Sequence, residues 1–357
     1  MNIALVPVFI FILSFIVVIH EFGHFFLARL FGVTVHEFSV GFGPLLAKKV
    51  RHGIQYSLRA IPLGGFVKIA GMDIALEGEA AKKKPGDRFF WELPLGKKIL
   101  VILAGPLNNL LLAIITYIFV AAVIGVPHQF MSEPIIGVVE PKSPAFEGGL
   151  SPGDRIVEIN GTPIKSWNQL TDQIHNSPEQ PLTIKIERNG TVFTREIKPF
   201  YDPARKVGRI GLLPAYTLRR LSFSQSVKYG LINTGYGLVQ IPTSIYRMIT
   251  GQERAGAAGT LGLFAVFDQA LQSGFYLFFA MIAGINLFFG VFNLLPIPLP
   301  LLDGGWIVIF ILEKIRKKDF TAEQKATAQL IGLAAIFALF IILTYSDLTS
   351  MIKRGLN

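Results

Sequence analysis

The stretch Phe15-Ile-Val-Val-Ile-His20-Glu21-Phe-Gly-His24-Phe-Phe-Leu-Ala-Arg-Leu30 sets three ionisable side chains, His20, Glu21 and His24, inside an apolar run that reaches Arg29 only near its end. The run begins at Ile3, so at about 1.5 Å per residue it can cross a hydrocarbon core of roughly 30 Å as a helix. Ionisable groups inside a span cost about 3 kcal/mol or more each and by default mark function. Four residues at about 100° each bring His20 and His24 to one helix face, where both imidazoles can ligate one zinc ion. Glu21 then sits beside them to take a proton from water. By chance an HExxH string arises in roughly one such sequence in a few hundred, so chance explains it poorly. The competing reading of the same residues is a proton or ion pathway.

The rest of the chain agrees with a membrane setting. Of 357 residues, 51% are hydrophobic and 16% charged, with a mean hydropathy of +0.50; soluble proteins carry about 25% charged residues. This excludes a disordered chain, and the absence of cysteine excludes a disulfide-stapled domain and thiolate chemistry. The formal net charge of +10 raises the possibility of nucleic-acid binding. The basic residues flank apolar runs rather than forming a face interleaved with aromatics, which fits orientation in a bilayer and no nucleic-acid partner.

Four segments are long and apolar enough to span: Ile3 to Leu30, Ile99 to Val126, a third within the uncharged stretch Gln269 to Leu302, and Ala326 to Ser346. No basic region precedes Ile3, so a cleavable signal peptide is not expected. Phe31 to Lys98 holds 11 Lys or Arg, Lys82, Lys83 and Lys84 among them, against 6 acids; Pro127 to Arg205 holds 8 basic and 10 acidic residues. The excess of Lys and Arg places the first loop in the cytoplasm and the second outside. The five basic residues of Glu313 to Lys325 agree. Both chain ends are then outside, which Lys353 and Arg354 oppose.

The expected fold is a polytopic α-helical membrane protein of about four transmembrane helices. A cytoplasmic-side, membrane-associated β-hairpin region and one inserted extracytoplasmic α+β domain complete it. The expected units are residues 1–126 (HExxH helix, β-loop region and second span), 127–205 (inserted domain), 206–268 (amphipathic, peripheral linker) and 269–357 (C-terminal membrane part). In the inserted domain, Ile136 to Glu140 and Leu182 to Glu187 alternate as strands do, Asn160-Gly161 and Asn189-Gly190 signal hairpin turns, and Trp167 to Ile174 suits a short helix. Ser143-Pro-Ala-Phe-Glu-Gly-Gly-Leu-Ser-Pro-Gly-Asp-Arg-Ile-Val-Glu-Ile-Asn-Gly161 closely resembles a bacterial PDZ domain. Such domains bind extended peptides or chain ends at a sheet edge; a spacer with an unused groove is the alternative. Gln55 to Gly71 alternates and breaks at Pro62 and Gly64-Gly65, as in a hairpin or β-loop whose edge can pair with an unwound substrate. Leu218 to Arg247 is amphipathic and basic, suited to the outer membrane face or to partial re-entry.

Two histidines leave a catalytic zinc one protein ligand short. Asp303 is the candidate, at the end of Asn293-Leu-Leu-Pro-Ile-Pro-Leu-Pro-Leu-Leu-Asp303-Gly304-Gly305. Pro and Gly break the helix there, and irregular backbone at membrane depth is tolerated only when buried in protein or lining a polar cavity. His36, His52, His128 and His175 have no ligand spacing and read as surface residues.

With these motifs, and with Phe38-Ser-Val-Gly-Phe-Gly-Pro44, Ile61-Pro-Leu-Gly-Gly-Phe-Val-Lys68 and Ala104-Gly-Pro-Leu-Asn-Asn109, nearly the whole chain resembles the site-2 protease family of intramembrane zinc metalloproteases. It is most similar to the bacterial RseP-like branch with a single PDZ domain. The resemblance implies Zn2+ held by His20, His24 and Asp303, Glu21 as general base and Asn293 positioning the substrate or its oxyanion. It also implies cleavage within or next to the transmembrane helix of single-pass proteins, such as anti-sigma factors or signal-peptide remnants, often after another protease has trimmed them. The setting would be the bacterial cytoplasmic (inner) membrane, with the active site toward the cytoplasm and the PDZ domain gating access. Three departures stand out. Asn293 and Asp303 are ten residues apart where the family usually has eight, Trp306 stands where relatives often have His, and Ala258-Gly259-Thr260-Leu-Gly-Leu263 lacks a proline of the corresponding element. If the longer spacing displaced Asp303, the chain would instead be a catalytically impaired binding module.

Overall fold

The computed structural model describes residues 3–72, 86–140, 143–203, 205–250 and 260–355; Lys82, Lys83, Lys84, Ala258 and Gly259 lie outside them. Helix α1 (Val6–Leu30) carries the HExxH motif and leads into two long strands, β1 (Val35–Arg51) and β2 (Ile54–Ile69), joined at His52-Gly53. Both turn residues take positive φ, 50° and 78°, the geometry that matches a tight hairpin to strand twist. The hairpin partner of Gln55 to Gly71 is thus the preceding segment, and Pro62 and Gly64-Gly65 bend β2 rather than end it. The strands fold over themselves: Glu37 to Val40 has Gln55 to Leu58 on one side and Gly65 to Lys68 on the other, while Leu45 to Arg51 pairs with Ile54 to Arg59. Ser14 of α1 ties the bend down, donating to the Pro62 carbonyl and accepting from Gly64 N at 3.1 Å.

Helix α2 (Leu95–Phe119) continues through a π turn to Ile124 and packs against α1. Next come β3 (Val126–Phe130), β4 (Ile136–Val139), α3 (Pro144–Glu147), β5 (Arg155–Ile159), β6 (Thr162–Pro163), α4 (Trp167–His175), β7 (Leu182–Arg188) and β8 (Thr191–Ile197). The turns Asn160-Gly161 and Asn189-Gly190 adopt the positive φ their residues favour. Strands β5 to β8 form a sheet in the order β6-β5-β7-β8 over a core that includes Ile156, Ile184, Ile186 and Leu170. Asp154, 1% exposed, accepts from Arg188 Nε and Nη2 at 2.6 and 2.7 Å and from Ser151 N at 2.8 Å. The domain draws partners from beyond Arg205: β9 (Phe200–Asp202) pairs with β10 (Val207–Arg209), β11 (Leu212–Pro214) with β4, and β12 (Tyr216–Arg219) with β3.

Helix α5 (Phe223–Ile249), within the stretch expected as an amphipathic, peripheral linker, packs on α2 and on α7 (Phe275–Asn293). Its inward stripe is small and polar, with Ser226 and Thr234 buried, Gly230 against Ile114 and Ile118, and Gly237 against Leu287. Its outward face exposes Leu231, Ile232, Tyr236 and Val239. Amphipathicity in lipid runs this way, with small residues allowing close helix approach and large apolar ones facing outward. Helix α6 (Thr260–Gln272) precedes α7, and α8 (Asp303–Arg316) and α9 (Ala322–Gly355) follow it. Among the described residues three helices are long and apolar enough to cross a bilayer: Val6–Leu30, Leu95–Ile124 and Phe275–Asn293. They coincide with the first three expected spans; the fourth lies within α9.

Candidate metal centre

His20, His24 and Asp303 converge, with one ligand atom from each lying within 4.8 Å of the others. All three are buried, at 8%, 4% and 9% exposure. His20 Nε2 lies 3.1 Å from Asp303 Oδ2, His24 Nε2 lies 3.4 Å from Asp303 Oδ1, and the two Nε2 atoms are 3.2 Å apart. Ligands at 2.0–2.1 Å around a tetrahedral ion are about 3.4 Å from one another, so the trio has the spacing of three corners of a zinc site. Asp303 Oδ2 supports that fit, being buried without a hydrogen-bond partner of adequate geometry, an arrangement a cation satisfies and a neutral core does not. Two nitrogens and one oxygen leave a fourth position open, as catalytic rather than structural zinc sites do.

The ten-residue spacing does not carry Asp303 away. Residues 294–302 are non-helical and take up length in tight bonds, Ile297 N to Leu295 O at 2.8 Å and Leu299 N to Ile297 O at 2.6 Å. Their carbonyls lie over the bare Cα atoms of Gly304 and Gly305, where a Cβ would strike Leu294, Leu295, Ile297 and Leu299 backbone. Glu21 sits between the ligands and the hairpin: its carboxylate bonds the Val67 backbone of β2 and interacts with the charges of His24, His20 and Asp303. Asn293 ends α7, half-buried, and among the described residues its side chain makes no hydrogen bond to the trio. Trp306, one turn past Asp303, packs at a tilt on Phe310 with ring centroids 5.6 Å apart and helps line a cleft that runs along α8 to Glu313. His36, His52 and His128 are exposed and His175 half-buried, and none of them is in the metal-ligand group formed by the trio.

Three supporting groups, all on α2, have no role in the sequence reading, although Gly105 and Asn109 fall in the quoted motif Ala104 to Asn109. His24 Nδ1 lies 2.8 Å from the Val101 carbonyl and His20 Nδ1 lies 3.3 Å from Asn109 Nδ2. Gly105 lies against both rings, where a Cβ would come within 2.6 Å of His24 Cε1 and 2.7 Å of His20 Nε2. The available signal was Asn108-Asn109 in the uncharged run Ile99 to Val126, two amides where lipid-facing sequence has none.

Two imidazoles and a carboxylate converging among apolar helices, with a glutamate beside them, define a membrane-embedded metalloprotease. A family model described as peptidase family M50 matches residues 8–339, and the chain belongs to that family, the site-2 proteases. It is 28% identical to the zinc metalloprotease RasP of Geobacillus kaustophilus, over 94% of this chain and 97% of that one. It is 25% identical to the regulator of sigma-W protease RasP of Bacillus subtilis, over 95% and 97%. The PDZ domain of an SdrC-like protein from Listeria innocua matches 24% of this chain and 96% of its own, with 27% identity and a TM-score of 0.22.

Proposed function

We propose that this chain is an intramembrane zinc endopeptidase that hydrolyses peptide bonds within or next to transmembrane segments of single-pass membrane proteins. The observation that carries this reading is the convergence of His20, His24 and Asp303 beside Glu21 inside an apolar helix pair. His20 Nε2, His24 Nε2 and one Asp303 oxygen would hold Zn2+, which when bound supplies a Lewis acid that acidifies water and polarises a carbonyl. Glu21 takes the proton of the attacking water and returns it to the leaving amine. Asn293 donates to the developing oxyanion. The exposed edge Leu45 to Arg51 of β1 offers backbone partners to a substrate unwound from helix, which exposes its peptide bonds.

The 127–205 region, read as a PDZ domain, gates access. A cavity of about 200 Å³ between α4 and β10–β11 is lined by Trp167, Leu170, Ile174, His175, Arg205 and Leu212 among others, an apolar groove with Arg205 at hand for the carboxylate of a trimmed chain end. Substrates are then single-pass proteins already cut outside, anti-sigma factors or signal-peptide remnants. The setting is a bacterial inner membrane, with the metal toward the cytoplasm. The test is purified full-length chain in proteoliposomes with a single-pass substrate, compared with Glu21→Gln. The variant should keep about one zinc per chain and lose cleavage by at least 10³-fold, in line with general-base loss. Retained cleavage would remove the mechanism, and wild type that binds no zinc would remove the reading.

A further inference from the structure

Both imidazoles of the trio lean on one stripe of α2, Val101, Gly105 and Asn109, spaced every four residues so that they share a face. Val101 serves His24 through a backbone carbonyl and Gly105 lets the rings approach. Asn109 is fully buried, its amide nitrogen is 3.3 Å from His20 Nδ1, and its Oδ1 has no partner. Asn108 beside it has a separate task, donating to the Ile19 carbonyl at 3.0 Å and fixing the α1 backbone one residue before His20.

We propose that Asn109 is a positioning residue for the metal: its amide oxygen accepts the Nδ1–H of His20, which holds the ring with the Nε2 lone pair toward His24 and Asp303. This rests on the reading of His20 as a ligand. A neutral imidazole carries one proton, and a ring that gives Nε2 to a metal carries it on Nδ1, where a buried N–H requires an acceptor. The Asn109 amide is the side chain that faces that atom. Its two ends have the same shape and exchange by a half-turn. With nitrogen toward Nδ1, two donors meet and Oδ1 stays bare; with oxygen toward Nδ1, the donor gains its acceptor. The opposite polarity, Asn109 N–H donating to a bare Nδ1, would put the proton on Nε2 and remove His20 from the ligand set. A hydrogen bond on the far nitrogen fixes ring orientation and raises ligand basicity, and its loss typically costs about 10–100-fold in metal affinity.

The test uses full-length protein in detergent, with zinc affinity read by competition against a chromophoric chelator and the absorption spectrum of the Co2+-substituted protein as a second readout. Asn109→Asp can accept but not donate, and should bind zinc within about threefold of wild type. Asn109→Ala should bind roughly 10–100-fold more weakly, with an altered Co2+ spectrum and an unchanged unfolding midpoint of the metal-free protein. A merely structural role would lower that midpoint and leave the affinity of the folded protein alone, which overturns the proposal. Asn109→Asp binding as weakly as Asn109→Ala overturns it too, since the amide would then act as a donor. The near-isosteric Asn109→Asp decides even where Asn109→Ala does not fold. Wild type without zinc would sink the underlying reading as well, whereas a zinc-bound wild type matched by Asn109→Ala sinks this inference alone.

Discussion

Glu37 is 6% exposed and yet ionised, and it shows how single side chains organise the hairpin. It accepts from Arg59 Nη2 at 2.7 Å and lies 3.4 Å from Lys68 Nζ. Arg59 also bonds Ser39 Oγ at 3.1 Å and the Gly43 carbonyl at 2.9 Å. Burial alone would push the Glu37 carboxyl up; hydrogen bonds from Arg59 and Ser57, with the charges of Lys68 and Arg59, outweigh it and hold the group below its ordinary 4.5. A depressed folded-state value stabilises the fold above the unfolded value and is lost as pH falls through the folded one. Glu37→Gln should therefore cost about 2 kcal/mol at pH 7. The gap to wild type should close on acidification below about pH 4.5, read by tryptophan fluorescence during thermal unfolding in detergent. A gap unchanged from pH 7 to pH 3.5 would show that the carboxylate charge is not what stabilises the hairpin. At this scale the metal trio was legible because His20 and His24 are local in sequence and Asp303 follows an obligatory helix break. The pairing of Asn109, quoted only as the end of a motif, with His20 was not, since the two lie 89 residues apart and no local pattern encodes a pairing between helices.

Helices α1 and α2 meet backbone to backbone where the trio forms, and two glycines make that contact possible. A Cβ on Gly23 would strike the Ala104 carbonyl and lie 2.9 Å from Gly105 N, and one on Gly105 would strike His24. Gly105→Ala should therefore push the rings off the metal position, lowering zinc retention and cleavage by at least 10²-fold while the chain still inserts and folds. Gly96→Ala, nine residues earlier on the same helix with nothing within 4 Å of the added Cβ, should leave both near wild type. Equal zinc content in the two variants would mean that α2 has room to retreat. Spans and turns were legible because each is governed by a few adjacent residues: apolar runs for α1, α2 and α7, Asn-Gly pairs for the turns of the inserted domain. The β1–β2 pairing and the docking of α5 were not. The hairpin alternation is interrupted by bends at Gly41, Gly43 and Gly64, each at positive φ. The polar stripe of α5 reads as water-facing until the small-residue contacts at Gly230 and Gly237 show that it faces other helices.

The hairpin packs around the start of α2, with Val35, Ile54 and Ile69 in one core with Leu93 and Val101, whereas the inserted domain begins at Val126, just past its other end. At about 1.5 Å per residue, the helix from Leu95 to Ile124 separates the two by roughly 45 Å, more than a hydrocarbon core. That length is the basis for proposing that they lie on opposite sides of a bilayer; the trio, braced by Val101, Gly105 and Asn109, lies in the half of α2 nearer the hairpin. The proposed sides follow from the charge of the connections, net +5 from Phe31 to Lys98 and −2 from Pro127 to Arg205, because the positive side tends to be retained in the cytoplasm. The chain has no cysteine, so single substitutions report sidedness without background. Thr191→Cys on β8, Lys49→Cys on β1 and Lys318→Cys between α8 and α9 are all at exposed positions. In intact cells a membrane-impermeant maleimide should label Thr191→Cys alone, and the other two only after permeabilisation. The reverse pattern would put the inserted domain in the cytoplasm and the metal toward the outside, where a domain that gates substrates trimmed from without could not act. Labelling of Thr191→Cys together with Lys318→Cys would instead place α8 and α9 on the other side from that proposed here, and with them the route by which Asp303 reaches the histidines.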